Sequence, residues 1–254
     1  MSWEKYDGSY PIKMAPGFNL FLKPGCQYSE KRFLYKVAEE NEIDFLKNED
    51  FENNVCLDIG ANIGYWACFL LAKVGKGEVH TFEPNPDTFK ILKKNIESNF
   101  PGSRAIVNNL ALGEENGSIS LFLNPYHSGD DRTIFTEGRT QIAVKQMTLD
   151  SYVESKNLKA LDFVKIDVQG AELSVLKGGI KSLKTFAPRI LMEWTPGEFK
   201  LDTTFFGDFF GLAKVLDWTF WCVKEGKLSK LELEADPFSF AGNIIIDSVK
   251  GRKS

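Results

Sequence analysis

An acid, an asparagine and two glycines stand close together at positions 58–64, where the chain reads DIGANIG. The apolar residues before this segment predict a strand and those after it predict a helix. Glycines in such a turn let the backbone approach a ligand closely, because no Cβ atom intervenes. A second apolar run ends in Glu83, and a carboxylate at that place can accept hydrogen bonds from a ribose diol. The spacing therefore predicts a nucleoside-binding half-fold.

Two residues of the turn favour a sulfonium cofactor over a dinucleotide. The dinucleotide pattern has glycine at three positions, but Asn62 occupies the middle one, where a phosphate needs bare backbone. Asp58 would repel a pyrophosphate, whereas it suits a ligand that carries an ammonium group. S-adenosylmethionine carries an ammonium and a sulfonium and has no phosphate. The turn is therefore interpreted as an S-adenosylmethionine site, an ordinary strand-to-helix turn is the alternative, and an NAD-dependent oxidoreductase is disfavoured.

The composition is that of a globular protein, with 43% hydrophobic and 26% charged residues among 254. The formal net charge of −4 argues against a nucleic-acid partner, which normally needs a basic face. No apolar run reaches the roughly 18 residues of a membrane span, and the charged N-terminus lacks the apolar core of a signal peptide. The four cysteines are scattered without a C-x-x-C pair. This pattern predicts free thiols and a reducing, cytoplasmic location.

Alternating strands and helices predict an α/β fold, a Rossmann-like doubly wound sheet of seven mostly parallel strands with an antiparallel terminal strand. The strands of this sheet are predicted at 54–59, 79–83, 105–112, 161–168, 189–193, 220–224 and 243–247. Helices are predicted at 30–46, 62–73, from 86 onward, and at 149–154, 171–183 and 205–215. Residues 1–46 are predicted to be a lead-in and a helix that packs on the core, and residues 47–254 the ligand-binding domain. An insert at about 118–147 is assigned to the acceptor side.

The carboxyl ends of the predicted strands carry a group of polar residues. In a doubly wound sheet the ligand crevice lies beyond these ends, so the side chains are expected to meet at one rim. The strand ends supply Asp58, Glu83, Asn108, Asn109, Asp167 and Glu193. Four carboxylates at one rim predict a binding site rather than a merely solvated edge.

Residues 165–172 read KIDVQGAE, and VLKGG follows at 175–179. Together with the turn at 57–64, these residues resemble the FkbM-type methyltransferases. The blocks FEPNP at 82–86, LALG at 110–113 and MTLD at 147–150 are similar to that family as well. The resemblance spans roughly residues 40–195. It implies a class I, S-adenosylmethionine-dependent enzyme that methylates hydroxyl oxygens of sugars, glycans or other small molecules.

The strand ends and the family blocks together give the residues expected to contact the cofactor. These are Asp58, Gly60, Ala61, Asn62, Gly64, Glu83, Pro84, Asn109, Leu110, Ala111 and Asp167. Gln169 departs from the family, which usually shows an acid at that position. A catalytic or metal-binding role is therefore not expected of Gln169, and hydrogen bonding is the only role expected of it.

Three residues are candidates for catalysis. The shared motif puts Asp167 beside the expected methyl group, as a general base or an orienting group for the acceptor hydroxyl. Glu193 and Trp194 are expected to line the acceptor site. His127 lies in the polar insert and is an alternative base, because its ordinary pKa suits neutral pH. Metal-independent chemistry is expected, because the rim has no D-x-D or H-x-x-x-D ligand spacing.

Other functions stay open on the sequence alone. A methyltransferase that acts on RNA or protein is one alternative, and a non-catalytic S-adenosylmethionine-binding module is another. The acceptor is expected to be a small molecule or a glycan, and the oligomeric state, including a homodimer, is open. The aromatic segment 199–221 is expected to pack in the core rather than to form a lid or a dimer face.

Overall fold

The computed structural model describes residues 2–198 and 203–248. The strands are β1 (Ile12–Lys13), β2 (Asn19–Leu20), β3 (Val55–Ile59), β4 (Glu78–Phe82), β5 (Ala105–Asn108), β6 (Ala111–Leu112), β7 (Gly117–Leu123), β8 (Thr140–Met147), β9 (Phe163–Ile166), β10 (Arg189–Trp194), β11 (Trp218–Lys224), β12 (Lys227–Leu231) and β13 (Gly242–Ser248). The α-helices are α1 (Gln27–Tyr35), α2 (Glu40–Leu46), α3 (Tyr65–Leu71), α4 (Pro86–Asn99), α5 (Leu149–Lys156), α6 (Glu172–Lys177), α7 (Ile180–Phe186) and α8 (Thr203–Val215). Short 3₁₀ helices cover Trp3–Lys5 and Ser128–Asp130.

The central sheet has eight strands in the described residues, in the order β12-β11-β13-β10-β9-β3-β4-β5. Neighbours from β10 to β5 pair in parallel. Strand β13 runs antiparallel to both β10 and β11, as predicted for the terminal pair. The α/β class and the mostly parallel sheet are confirmed, but the predicted count of seven strands is one too low.

The additional strand is β12, which forms a hairpin with β11. The two turn residues, Glu225 and Gly226, have φ values of 49° and 73°, as a tight hairpin of primed type requires. Residues 227–231 read KLSKL. This strand was not predicted from the sequence, because so short and polar a segment has too few apolar residues to show a strand periodicity.

Three predicted elements are divided in the structure. The helix expected at 30–46 is α1 and α2, because Lys36 and Glu39 between them adopt left-handed φ values of 60° and 47°. The helix expected at 171–183 is α6 and α7, which are separated by Gly178 and Gly179. The strand expected at 105–112 ends at Asn108, and β6 then joins a separate sheet of order β6-β8-β7. The insert strands β7 and β8 therefore pair outside the central sheet.

Apolar side chains cover both faces of the central sheet. Leu57 and Ile59 belong to the cluster on one face, and Cys56 between them belongs to the cluster on the other, as the alternation of a strand requires. The aromatic helix α8 packs inward, with the Phe209 ring 4.9 Å from that of Trp194. Phe199, at the start of the predicted aromatic segment, lies outside the described residues. No helix in the described ranges is long and apolar enough to cross a membrane.

Candidate active site

A cleft of about 880 Å³, measured with its open mouth, lies where strands β3, β4 and β9 end. It is therefore at the rim that the strand-end residues predicted. Most of the expected cofactor contacts line it, namely Asp58, Gly60, Ala61, Asn62, Glu83, Pro84, Leu110, Ala111 and Asp167. Six of the residues predicted for the site are not among its lining residues, namely Gly64, Asn108, Asn109, His127, Glu193 and Trp194.

Gly60 lines the cleft, and its lack of a side chain lets the turn pack closely against Asp167. Its φ is +83°, and a Cβ atom there would stand 1.8 Å from the carbonyl oxygen of Asp167. The amide of Asp167 also donates to the carbonyl oxygen of Ile59 at 3.0 Å. The amides of Gly60 and Ala61 donate to the carbonyl oxygen of Phe82. The turn is thus fixed between the ends of three strands, and only glycine fits at position 60.

Glu83 is held beside this turn by backbone amides. Its Oε2 accepts from the Asn62 amide at 2.9 Å, and its Oε1 accepts from the Asn85 amide at 2.8 Å. Each oxygen keeps a second lone pair for a ligand hydroxyl. The side chain is buried, and this burial raises the pKa of Glu83 to about 8. This geometry suits the predicted hydrogen bonding of Glu83 to a ribose diol.

Asp58 carries a buried oxygen that lacks a donor. The residue is 1% exposed, and its Oδ2 accepts no hydrogen bond from any described residue. Burial raises the pKa of Asp58 to about 7, an effect that the nearby Lys165 ammonium partly offsets. Buried polar atoms are normally paired, so this oxygen is an acceptor that the described residues leave without a hydrogen bond.

Gly64 and Asn109 support the cleft from behind. Gly64 precedes α3 with a φ of +93°, and a Cβ atom there would lie 2.7 Å from Leu92. The Asn109 side chain donates to the carbonyl oxygens of Glu83 and Pro84 at 2.9 and 3.1 Å. Both residues therefore fix the loops that carry the lining residues, while direct contact with a cofactor stays a prediction.

Gln169 joins two of the rim carboxylates. Its Nε2 donates to Asp167 Oδ1 at 2.7 Å and to Glu193 Oε2 at 2.9 Å. Burial, followed by the nearby charge of Asp167, raises the pKa of Glu193 above its ordinary value. The hydrogen-bonding role expected of Gln169 is what the structure shows. The side-chain amide of Gln169 thus connects Glu193 to Asp167, although Glu193 does not line the cleft itself.

Two other residues near this rim have structural roles. Trp194 is 2% exposed and packs against α8, with its indole N–H donating to the carbonyl oxygen of Pro237. The expectation that Trp194 lines the acceptor site is therefore wrong, because its ring points into the core. Glu172 accepts hydrogen bonds from the amides of Val168 and Gly170. It fixes the loop that follows Asp167.

The insert closes over the turn, but His127 is not among the residues that line the cleft. The His127 ring lies edge-on to Tyr28 at 6.1 Å, and burial lowers the pKa of the imidazole. The neighbouring Ser128 lines the cleft and donates to Asn62 Oδ1 at 3.2 Å. The role of His127 as a base stays a prediction to which this placement lends no support.

The lining residues that were not expected from the sequence include Tyr28, Glu39, Trp66 and Lys165. Lys165 is part of the KIDVQGAE segment and is 1% exposed. A lysine within a strand of apolar residues was the available signal for it. Tyr28 and Glu39 come from the N-terminal segment, and only tertiary contacts bring them to the rim.

No group of three His, Cys, Asp or Glu side chains within the described ranges is arranged to hold a metal ion. Metal-independent chemistry stays a prediction.

The sheet order and the strand-end cleft are those of a class I methyltransferase. A sequence model for the methyltransferase FkbM domain matches residues 58–214, which is more than half of the chain. The chain therefore belongs to the FkbM methyltransferase family and is an enzyme of the methyltransferase class. The family and the enzyme class predicted from the motifs are both confirmed.

The relatives include three named methyltransferases. The hexuronic acid methyltransferase AglP of Haloferax volcanii is 36% identical over 148 residues, which cover 58% of this chain and 59% of AglP. Methyltransferase 1 of Beauveria bassiana is 28% identical over 194 residues, 66% of this chain and 74% of the relative. The 2-O-methyltransferase NoeI of Sinorhizobium fredii is 28% identical over 146 residues, 51% of this chain and 58% of NoeI.

The chain thus spans less than two thirds of the length of AglP and of NoeI. Among solved structures, an FkbM methyltransferase from Methylobacillus flagellatus superimposes with a TM-score of 0.50. It is 17% identical, and the superposition covers 77% of this chain and 44% of the other. This likeness supports the fold alone.

Proposed function

We propose that this chain transfers a methyl group from S-adenosylmethionine to a hydroxyl oxygen of a sugar, a glycan or a related small molecule. The observation that carries the proposal is the unpartnered, buried Oδ2 of Asp58 at the turn where Gly60 leaves the backbone bare. A buried carboxylate excludes a pyrophosphate there and accepts an ammonium group.

The residues present fit this cofactor. Asp58 would accept a hydrogen bond from the amino group, and Glu83 would accept hydrogen bonds from the ribose hydroxyls. The bare turn at Gly60 would allow close approach of the nucleoside. When bound, the cofactor supplies a methyl group on a sulfonium sulfur that leaves as a neutral thioether with the bonding electron pair.

In this mechanism Asp167, which lines the cleft, acts on the acceptor. Its carboxylate takes the hydroxyl proton as the new oxygen–carbon bond forms, while Gln169 fixes its orientation through the 2.7 Å hydrogen bond. A positioned base contributes typically 10² to 10⁴-fold in rate. Alignment of the hydroxyl can contribute about 7–11 kcal/mol in well-oriented systems. The enclosing side chains of the N-terminal segment and the insert hold the acceptor in that alignment.

The acceptor class rests on the relatives and on the charge of the rim. AglP is named a hexuronic acid methyltransferase and NoeI a 2-O-methyltransferase, which supports a carbohydrate acceptor. The carboxylates at the cleft would repel the phosphates of RNA. A cytoplasmic location is part of the proposal, because all four cysteines are free and buried, as in a reducing compartment.

Thermal unfolding with S-adenosylmethionine, S-adenosylhomocysteine and NAD in parallel tests the cofactor. A ligand at about 100 times its Kd stabilises by roughly 2.7 kcal/mol, which raises Tm by about 5–10 °C for a chain of this size. We expect this shift with the two adenosyl sulfur compounds only. A shift with NAD alone would overturn the proposal. Methyl transfer to neutral methyl glycosides, followed by mass spectrometry, then tests the acceptor class.

A further inference from the structure

A buried ammonium group without a hydrogen-bond partner lies in the wall of the cleft. Lys165 is 1% exposed, and its Nζ has no hydrogen-bond acceptor among residues 2–198 and 203–248. An ammonium has three donors, and leaving them unpaired in a buried place costs free energy. The side chain lines the cleft, so a ligand oxygen could reach it.

Two carboxylates keep this group charged. Asp167 Oδ2 lies 3.6 Å and Glu39 Oε2 lies 4.0 Å from the Lys165 Nζ, beyond hydrogen-bond distance but close enough for strong Coulomb attraction. Burial opposes the charge, but these two carboxylates, together with those of Glu193 and Asp58, outweigh it and raise the pKa of Lys165 above its ordinary value. Lys165 is therefore a fixed positive charge rather than a base.

Glu39 comes from outside the region that the FkbM family model matches. It precedes α2 with a left-handed φ of 47°, and its side chain does not cap that helix. Instead, its Oε2 accepts from Trp66 Nε1 at 3.0 Å and from Asn243 Nδ2 at 3.1 Å. These two donors hold the Glu39 carboxylate at the cleft and toward Lys165.

The sheet register puts Lys165 between the carboxylates of Asp58 and Asp167. Lys165 is the direct partner of Asp58 across β3 and β9, and Asp167 follows two residues later, just beyond the end of β9. On the cofactor side lies the carboxylate of Asp58, and on the acceptor side lies that of Asp167. Lys165 and Asp167 together offer one donor and one acceptor to a single oxygen, which is what a hydroxyl group needs.

We propose that Lys165, held by Glu39, faces the point of methyl transfer and donates a hydrogen bond to the acceptor oxygen there. The inference rests on the proposed function and adds two residues to it. The Lys165 ammonium donates a hydrogen bond to a lone pair of the acceptor oxygen, while Asp167 takes the hydroxyl proton. Glu39 acts as a positioning residue through Lys165. The N-terminal segment thereby completes the acceptor side of the site.

The charge at this point can be measured without knowledge of the acceptor. Three probes differ there: S-adenosylhomocysteine is neutral at sulfur, S-adenosylmethionine carries a sulfonium, and sinefungin carries an amine in place of the transferred methyl. Isothermal titration calorimetry gives their Kd values for wild type and variants. The Kd of each cationic probe is divided by the Kd of S-adenosylhomocysteine. This ratio reports the local charge, because a change that affects binding of the shared nucleoside alters both Kd values equally and cancels.

The two variants are expected to move this ratio in opposite directions. Lys165→Met removes a positive charge and leaves its carboxylates uncompensated, so the cationic probes should bind about tenfold more tightly relative to S-adenosylhomocysteine. Glu39→Gln removes a negative charge and keeps that of Lys165, so the same probes should bind several-fold more weakly. If Lys165→Met does not fold, the opposite shift in Glu39→Gln decides the question.

Matched controls change the same charges elsewhere. Glu49→Gln alters a carboxylate that pairs with Arg189 at 2.9 Å, and Lys214→Met alters an ammonium that pairs with Glu234 at 2.6 Å. Neither residue lines the cleft, and we expect wild-type ratios from both. Ratios within twofold of wild type in Lys165→Met and Glu39→Gln would overturn the inference. If wild type binds none of the three probes, the proposed function itself fails.

Discussion

Replacement of Gly60 by alanine tests the closest approach in the cleft. The added Cβ atom would stand 1.8 Å from the Asp167 carbonyl oxygen and 2.8 Å from its carbonyl carbon, so β9 or the turn must move by more than 1 Å to restore an ordinary contact. Such overpacking costs about 1–3 kcal/mol. The φ of +83° adds about 1–2 kcal/mol for a residue with a Cβ. The total of about 2–5 kcal/mol is a large part of a typical stability of about 5–15 kcal/mol.

Gly138→Ala is the matched control. Gly138 has a φ of +78°, and no atom of the described part of the chain lies within 4 Å of a Cβ built there. The Gly138→Ala variant is therefore destabilised only by the left-handed φ, by about 1–2 kcal/mol. Urea denaturation of both variants separates the collision from the backbone cost, and calorimetry with S-adenosylhomocysteine reports whether the cleft survives. Equal stability of the two variants, with wild-type affinity in Gly60→Ala, would refute the close approach as the reason for glycine.

Three further predictions follow from the site. Asp167→Asn should lower kcat by about 10² to 10⁴-fold and leave the S-adenosylhomocysteine Kd nearly unchanged, which stopped-flow or endpoint assays and calorimetry would check. Burial raises the pKa of Glu83 to about 8, so its carboxylate is ionised at about pH 9. At that pH Glu83→Gln should weaken S-adenosylhomocysteine by about ten- to a hundredfold, because hydrogen bonds to a charged group contribute about 1.5–3 kcal/mol. An unchanged Kd would contradict the ribose assignment. Burial raises the pKa of Asp58 to about 7 and that of Glu83 to about 8, so the folded state holds protons that the unfolded state releases above about pH 4. The free energy of unfolding of the unliganded protein should therefore fall as pH rises from about 4 to 8, and urea titrations across that range should show a smaller fall in Asp58→Asn.

The turn and the strand ends were predictable because their signals are local. An acid, a glycine and a buried strand stand next to one another in the sequence around Asp58 and Gly60, and parallel strands bring their carboxyl ends to one edge. The prediction put this strand at 54–59, and β3 is Val55–Ile59. Glu83 ends the next predicted strand in the same way. Each of these residues could thus be assigned to the rim without knowledge of distant contacts.

Glu39 and Lys165 could not be paired from the sequence. Apolar periodicity predicts one helix over 30–46, whereas Glu39 has a left-handed φ and its side chain accepts tertiary hydrogen bonds from Trp66 and Asn243. Periodicity contains no information about such partners. Trp194 shows the opposite error, because its place after Glu193 suggested the rim while strand alternation sends its ring into the core.

The charges of the cleft also distinguish a hydroxyl acceptor from a carboxylate acceptor. A carboxylate oxygen would bring a negative charge beside Asp167 and Glu39, which lie within 4.0 Å of the single Lys165 ammonium. A hydroxyl brings no charge and supplies the proton that Asp167 is proposed to accept. We therefore expect methyl ethers and not methyl esters when the enzyme is offered a neutral methyl hexoside and the corresponding methyl hexuronoside. Mild base hydrolyses esters and leaves ethers intact, so a product that loses its methyl group in base would contradict this assignment of Asp167.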